Sequence, residues 1–295
     1  MNITFQVITL FLVASVGILC RRLRYFTDET VHGVTQLVVN ITLPCLTYYN
    51  MERPFSTEVL RNFLLILFLT LILLLLCLGG TWMLFSRRPT ARRAVIANLC
   101  TFSNCGFMGY PIIMAINPDL MIYAVAYNIS FSLVSWTLGV RLFSSESGSN
   151  LQRILRNPTL IACVLGFIAF CTGFVLPEVL DNVVSIVGGL TTPLSMLLIG
   201  AHIYGVRPSE LKDPDYHLVA LLRLIVYPLL LLLLRFTPVP ASLVTTLFIL
   251  TAMPCGTMVS MQAELYHGDV SFASKAVAWS TLLAIATVPI LCTLL

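Results

Sequence analysis

The sequence predicts an all-α polytopic membrane protein with about ten transmembrane helices in two five-helix halves of opposite orientation. Three observations predict it. First, 58% of the 295 residues are hydrophobic and only 10% are charged, whereas a soluble domain carries about 25% charged residues. So few charges cannot cover a water-soluble globule of this size, but they can cover two narrow polar rims. Second, ten mostly apolar runs of spanning length can be laid along the chain. Third, with the first residue placed outside, 13 of the 17 lysines and arginines fall on the cytoplasmic side and three on the other, with Arg223 inside a span. A wrong span count would scramble that alternation.

The first half offers runs at about 2–20, 32–51, 62–85, 93–117 and 120–143, and the second at about 159–176, 181–203, 216–235, 241–265 and 272–294. The chain is apolar from Ile3 to Cys20, and Arg21, Arg22 and Arg24 follow it. A signal peptide has its positive charges first, so this order fits a retained first span. Phe63 to Phe85 contains no charge, and its 23 residues would rise roughly 34 Å as a helix. The second, seventh and ninth runs hold more Thr, Ser, Asn and Gly. The one extended polar connection is Ser144 to Asn150, which divides the chain into residues 1–145 and 151–295. Five spans is an odd number, so the second half enters from the opposite side, as in an inverted repeat. Thr42-Leu43-Pro44 and Thr191-Thr192-Pro193 stand 149 residues apart, and the same offset sets Asn104–Pro111 opposite Met253–Ser260. Ten spans with that alternation of positive charge put both termini outside the cytoplasm of a cell-membrane protein.

Those last two stretches are where function is expected. The fourth span contains Asn104, Cys105, Gly106, Gly109 and Pro111, and the ninth contains Pro254, Cys255, Gly256 and Thr257. Glycine and proline are poor helix formers, and Pro254 removes a backbone donor. Opened backbone survives in lipid only where protein or a water-lined cavity satisfies it. Paired breaks at matching places point to a transporter's binding site. The N–H groups that begin each following half-helix favour an anion, and the Asn104 amide could donate to a carboxylate. A single break would be better explained as a packing kink; two corresponding breaks favour a site.

At these residues the chain resembles the auxin efflux carrier family. Asn104 to Pro111 looks like that family's Asn-x-x-x-x-Gly-x-Pro pattern, and Met253-Pro254-Cys255-Gly256, leading to Ala263-Glu264-Leu265-Tyr266, is similar to its proline-containing ninth helix. Leu43-Pro44, and Ser280-Thr281-Leu282-Leu283 with Pro289, fit as well. The resemblance implies inverted repeats whose fourth and ninth helices cross as broken helices. It implies a scaffold of helices one, two, six and seven, a transport domain of helices three to five and eight to ten, and a substrate carboxylate near Asn104. Two positions depart from relatives: Ser103, where many plant members have proline, and Cys255, where several relatives carry a polar amide. The long hydrophilic loop of the plant carriers is missing, as in a compact, prokaryotic-type member.

The partners expected are a small organic anion and the lipid bilayer, with a homodimer left open; no nucleic acid is expected. Supporting positions are Pro44, Asn128, Pro193, Arg223 and Glu264. For Arg223, snorkelling to the cytoplasmic headgroups is favoured over attraction of substrate. Glu264 is placed near the interface. His202 reads as a rim residue, and Asn128, Ser130, Ser132 and Ser135 read as interhelical or cavity-lining groups. The nine cysteines sit in or beside apolar runs without CxxC spacing, so they read as packing residues and no metal is expected. No phosphate loop, HExxH or GxSxG pattern appears, so neither a cofactor nor an enzyme is expected. A cation–proton antiporter would need a titrating carboxylate at mid-membrane, and none of the 13 acidic residues falls at a span centre. A ligand-binding sensor that moves nothing across the membrane is the rival from another class.

Overall fold

The computed structural model describes residues 3–143, 156–204 and 211–294. The polar connection Ser144–Asn150, together with Arg153 and Arg207, lies outside the described residues. Within them, every regular element is helical.

Helix α1 is Ile3–Arg22. Helix α2 covers 28–49, starts at an N-cap where Thr27 accepts from the Thr30 N–H, and widens into a π turn at Val38–Thr42, just before Pro44. Helix α3 is Thr57–Leu84, capped by Ser56. The next helical stretch comes in two pieces, α4 (Thr90–Thr101) and α5 (Cys105–Ile116), followed by α6 (Pro118–Phe143). Helix α7 is Pro158–Thr172, with proline at its first position and the Asn157 side chain capping it. Helices α8 (Glu178–Ile203) and α9 (Pro214–Phe236) follow. A second split stretch gives α10 (Ala241–Ala252) and α11 (Thr257–Leu265), and α12 (Val270–Cys292) ends the fold.

By length and composition, α1, α3, α6, α8, α9 and α12 can each cross a membrane, while α5, α7 and α10 are apolar but shorter. Large apolar side chains such as Leu76, Val179 and Ile186 stand exposed on the outside, as they should where the solvent is lipid. All nine cysteines are free.

Small residues let the helices approach closely. A Cβ on Gly200 would lie 1.8 Å from the Ala14 carbonyl oxygen, and one on Gly17 would lie 2.1 Å from that of Leu197. Helices α1 and α8 therefore touch backbone to backbone, the role that small residues fill in lipid, where hydrophobic driving force is absent. Helix α2 packs on α7 and α8, and α3 packs on α4 and α6.

At one rim, Arg88, just before α4, and Arg92, in its first turn, hold the starts of α9 and α12. Arg88 pairs with Asp215 at 2.7 Å, and Arg92 pairs with Asp213 and, at 2.8 Å, with Asp269. Asp213 and Asp269 are also the N-caps of α9 and α12. Arg92 lies 3.2 Å above the Phe272 ring centroid, which adds a cation–π contact to the ion pairs.

Candidate anion site at the crossing of two interrupted helices

Both sequence-predicted breaks are present, and they meet. Helix α4 ends at Thr101 and α10 at Ala252, each followed by extended residues. Ser103 and Cys255 pair as an isolated antiparallel bridge. The Asn104 N–H donates to the Pro254 carbonyl at 2.8 Å, and the Gly256 N–H donates to the Phe102 carbonyl at 2.8 Å. The two strands satisfy each other's backbone, which is how a broken helix survives inside lipid. The Cys255 N–H donates to Ser280 Oγ of α12 at 3.1 Å, and Ser103 Oγ lies 3.3 Å from Tyr127 Oη of α6.

The crossing is tight because of Gly256. A Cβ there would sit 3.0 Å from the carbonyl oxygens of both Phe102 and Ser103. These are backbone atoms and cannot swing aside. Gly109 is also close to its neighbours, but a Cβ there would meet the Leu250 Cδ2 methyl at 2.6 Å, the far end of a flexible side chain. Gly256→Val is therefore expected to lower the melting temperature of the detergent-purified protein by an amount matching about 1–3 kcal/mol of overpacking. Gly109→Ala should lower it less. Equal shifts would contradict the reading.

Four helix ends point at this crossing, two of each polarity. The C-terminal ends of α4 and α10 present orphan carbonyls and partial negative charge, while the N-terminal ends of α5 and α11 present orphan N–H groups and partial positive charge. The negative ends are both met by one residue. Arg223 is 1% exposed. Its Nε donates to Met253 O at 3.0 Å, its Nη1 to Cys100 O and Thr101 O at 3.0 and 3.1 Å, and its Nη2 to Leu250 O and Thr251 O at 3.5 and 2.6 Å. All the donors of a guanidinium fork are thereby placed on the two C-terminal ends. The expectation that Arg223 snorkels to the headgroups is corrected: these carbonyls offer a cation better acceptors than the rim could.

The positive ends are not answered. Neither the Cys105–Gly109 segment nor α11 has a side-chain cap. Asn104 is 4% exposed, and among the described residues its side-chain amide makes no hydrogen bond, though its backbone carbonyl accepts from the N–H groups of Met108 and Gly109. Asp215, at the rim, is the sole buried acid among the described residues. The crossing therefore keeps a net positive field and free donors.

The structure brings together Asn104, Cys105, Gly106, Gly109, Pro254, Cys255, Gly256 and Arg223. Thr257 opens α11 directly after its break, and Pro111 lies just beyond the π turn that begins α5. Asn128 reaches the crossing through Cys105 Sγ, at 3.8 Å from its Oδ1. Ser130 bonds the Leu67 carbonyl at 2.7 Å and Ser135 bonds Gln262, so both act between helices. Glu264 and Pro193 are exposed, and Pro44 is partly so. Sequence reasoning named Ser280 only within a motif and gave it no role at the break, whose Cys255 N–H it accepts, and it missed the fully buried amides Asn98 and Gln262. A polar residue isolated in an apolar run was their only signal.

Comparison with known proteins adds a family. A family model described as "Membrane transport protein" matches residues 2–153 and 147–292. The chain is similar to an "Uncharacterized transporter" of Methanothermobacter thermautotrophicus, 24% identical over 98% of this chain and 97% of that one. It is also similar to a Rhizobium meliloti protein named "Putative malonate transporter", 22% identical over 97% of this chain and 94% of that one.

Proposed function

The chain belongs to the membrane transport protein family, and from that premise we propose that this multi-pass membrane protein is a secondary carrier of small organic anions working by alternating access. The observation that carries the reading is the charge balance at the crossing. Arg223 occupies both negative helix ends and leaves both positive ends, with the unpartnered Asn104 amide, open to an anion. The same feature weighs against a cation–proton antiporter, which would need a carboxylate here. The malonate named for one relative suggests a small carboxylate.

In this reading the chain makes ten spans as two inverted repeats, 1–145 and 151–295, with both termini outside the cell membrane. Helices α1, α2, α7 and α8 form the scaffold, and α3–α6 with α9–α12 form the moving domain. The backbone contact of α1 with α8 and the rim ion pairs joining α4, α9 and α12 support that division.

Proteoliposomes preloaded with malonate are expected to accumulate labelled malonate by counterflow, at least about tenfold above liposomes without protein. Labelled malonate that binds the purified protein without any exchange would make it a sensor rather than a carrier.

A further inference from the structure

Three helices that supply the crossing are tied together at their far ends by one side chain. Helix α4 ends at the crossing with the Cys100 and Thr101 carbonyls, α9 brings Arg223 to those carbonyls, and α12 brings Ser280 to the Cys255 N–H. Arg92 stands nine residues before Thr101, Asp213 ten before Arg223, and Asp269 eleven before Ser280. As helix these are near-equal lengths of about 14–17 Å, so the three helices start level and reach the crossing level. They also pack against one another along the way.

Arg92 holds those starts in a way that fixes register as well as proximity. Asp213 Oδ1 accepts the Asp215 N–H at 2.9 Å and so caps α9, while its Oδ2 takes Arg92 Nη2. Asp269 Oδ1 accepts the Phe272 N–H at 3.0 Å and so caps α12, while its Oδ2 takes Arg92 Nη1 at 2.8 Å. Each carboxylate thus gives one oxygen to its own helix and the other to the guanidinium, whose planar fork has fixed donor directions. The guanidinium lies 3.2 Å over the Phe272 ring and 6.0 Å from the Tyr216 ring, and those two rings stack at 4.6 Å between α12 and α9. Isolated exposed ion pairs contribute little, but networks with defined geometry are the exception. The Arg92 side chain is only 19% exposed and closes such a network.

We propose that Arg92 is a positioning residue for the anion site: it sets the register of α4, α9 and α12, and through that register it aligns Arg223 and Ser280 on the crossing, about 15 Å away. The proposal rests on the carrier reading above and names a residue that serves its site without touching it. The reason is geometric tolerance. A binding site works only with its groups held within about 0.5 Å of their productive positions, and sliding α9 by one residue against α4 would move Arg223 by roughly 1.5 Å. Carbonyls that lose the guanidinium return negative charge to the crossing, and the positive field that favours an anion weakens.

The test combines malonate titration calorimetry, melting temperature and the ¹⁵N spectrum of arginine-labelled protein for wild type, Arg92→Gln, Asp213→Asn and Asp269→Asn. Asparagine caps a helix as well as aspartate does, so the two Asn variants keep the caps and lose only the oxygen that faces Arg92. Arg21→Gln, which breaks the separate Arg21–Asp28 pair, is the control. The Arg223 Nε signal is assigned by its loss in Arg223→Lys. Malonate affinity is expected to fall about tenfold in Arg92→Gln, less in each Asn variant, and no further when Asp269→Asn is added to Arg92→Gln. The Arg223 signal should shift in all of these and stay in place in Arg21→Gln. Wild-type affinity in folded Arg92→Gln overturns the proposal whatever the melting temperature, because a clamp that only holds the fold together moves stability alone. If Arg92→Gln does not fold, the Asn variants decide by the same criterion. Wild-type protein that binds no malonate sinks the carrier reading instead, and an Arg223 signal unmoved by Asp269→Asn then overturns this proposal separately.

Discussion

Arg223→Met should be the most damaging single substitution in the protein. Methionine fills the same space but leaves the carbonyls of Cys100, Thr101, Leu250, Thr251 and Met253 without the donors they now share. Breaking a buried charged network of this kind costs about 3–5 kcal/mol, and the two negative helix ends would then repel each other across the bridge. The melting temperature in detergent should fall steeply and transport should drop to background. Arg223→Lys separates charge from geometry. It keeps the positive charge but offers three donors from one point instead of a planar fork, so it should recover part of the stability and little of the transport. A Met variant as stable as wild type would mean the crossing holds without its clasp.

Asn104→Ala should behave in the opposite way. The Asn104 side chain bonds nothing among the described residues, and its backbone N–H, which bridges to Pro254, survives the substitution. The folded amount and melting temperature should therefore stay near wild type. Substrate binding should weaken by about 10–100-fold, matching the roughly 1.5–3 kcal/mol of a hydrogen bond to a charged group. Titration calorimetry with malonate reads the loss directly. Stability lost together with affinity would mark Asn104 as structural.

The contrast shows what could be read from the chain alone. The two breaks were legible because helix chemistry fails locally: Pro254, Gly256, Gly106 and Gly109 announce opened backbone without any knowledge of neighbours. Helix positions were legible for a similar reason, since lipid demands long apolar runs. Arg223 was not legible. Its partners are backbone carbonyls, and a carbonyl leaves no trace in residue identity. They also lie up to 123 residues away in sequence. The usual rule for arginine in an apolar run, that it reaches for the headgroups, was overridden by two helix ends that no periodicity places side by side. The rim contacts of Arg88 and Arg92 likewise join segments that are distant in the chain.

The charge logic of the crossing therefore carries the account: one cation neutralises two helix ends so that the other two can hold an anion. The most direct measurement is the dipolar coupling between ¹³C-carboxyl malonate and ¹⁵N-labelled asparagine side chains in the reconstituted protein. The account predicts one coupled site, at a separation of about 4 Å as hydrogen-bond geometry requires, and its disappearance in Asn104→Ala. Coupling that persists in that variant, or bound malonate that couples to no asparagine, would contradict it.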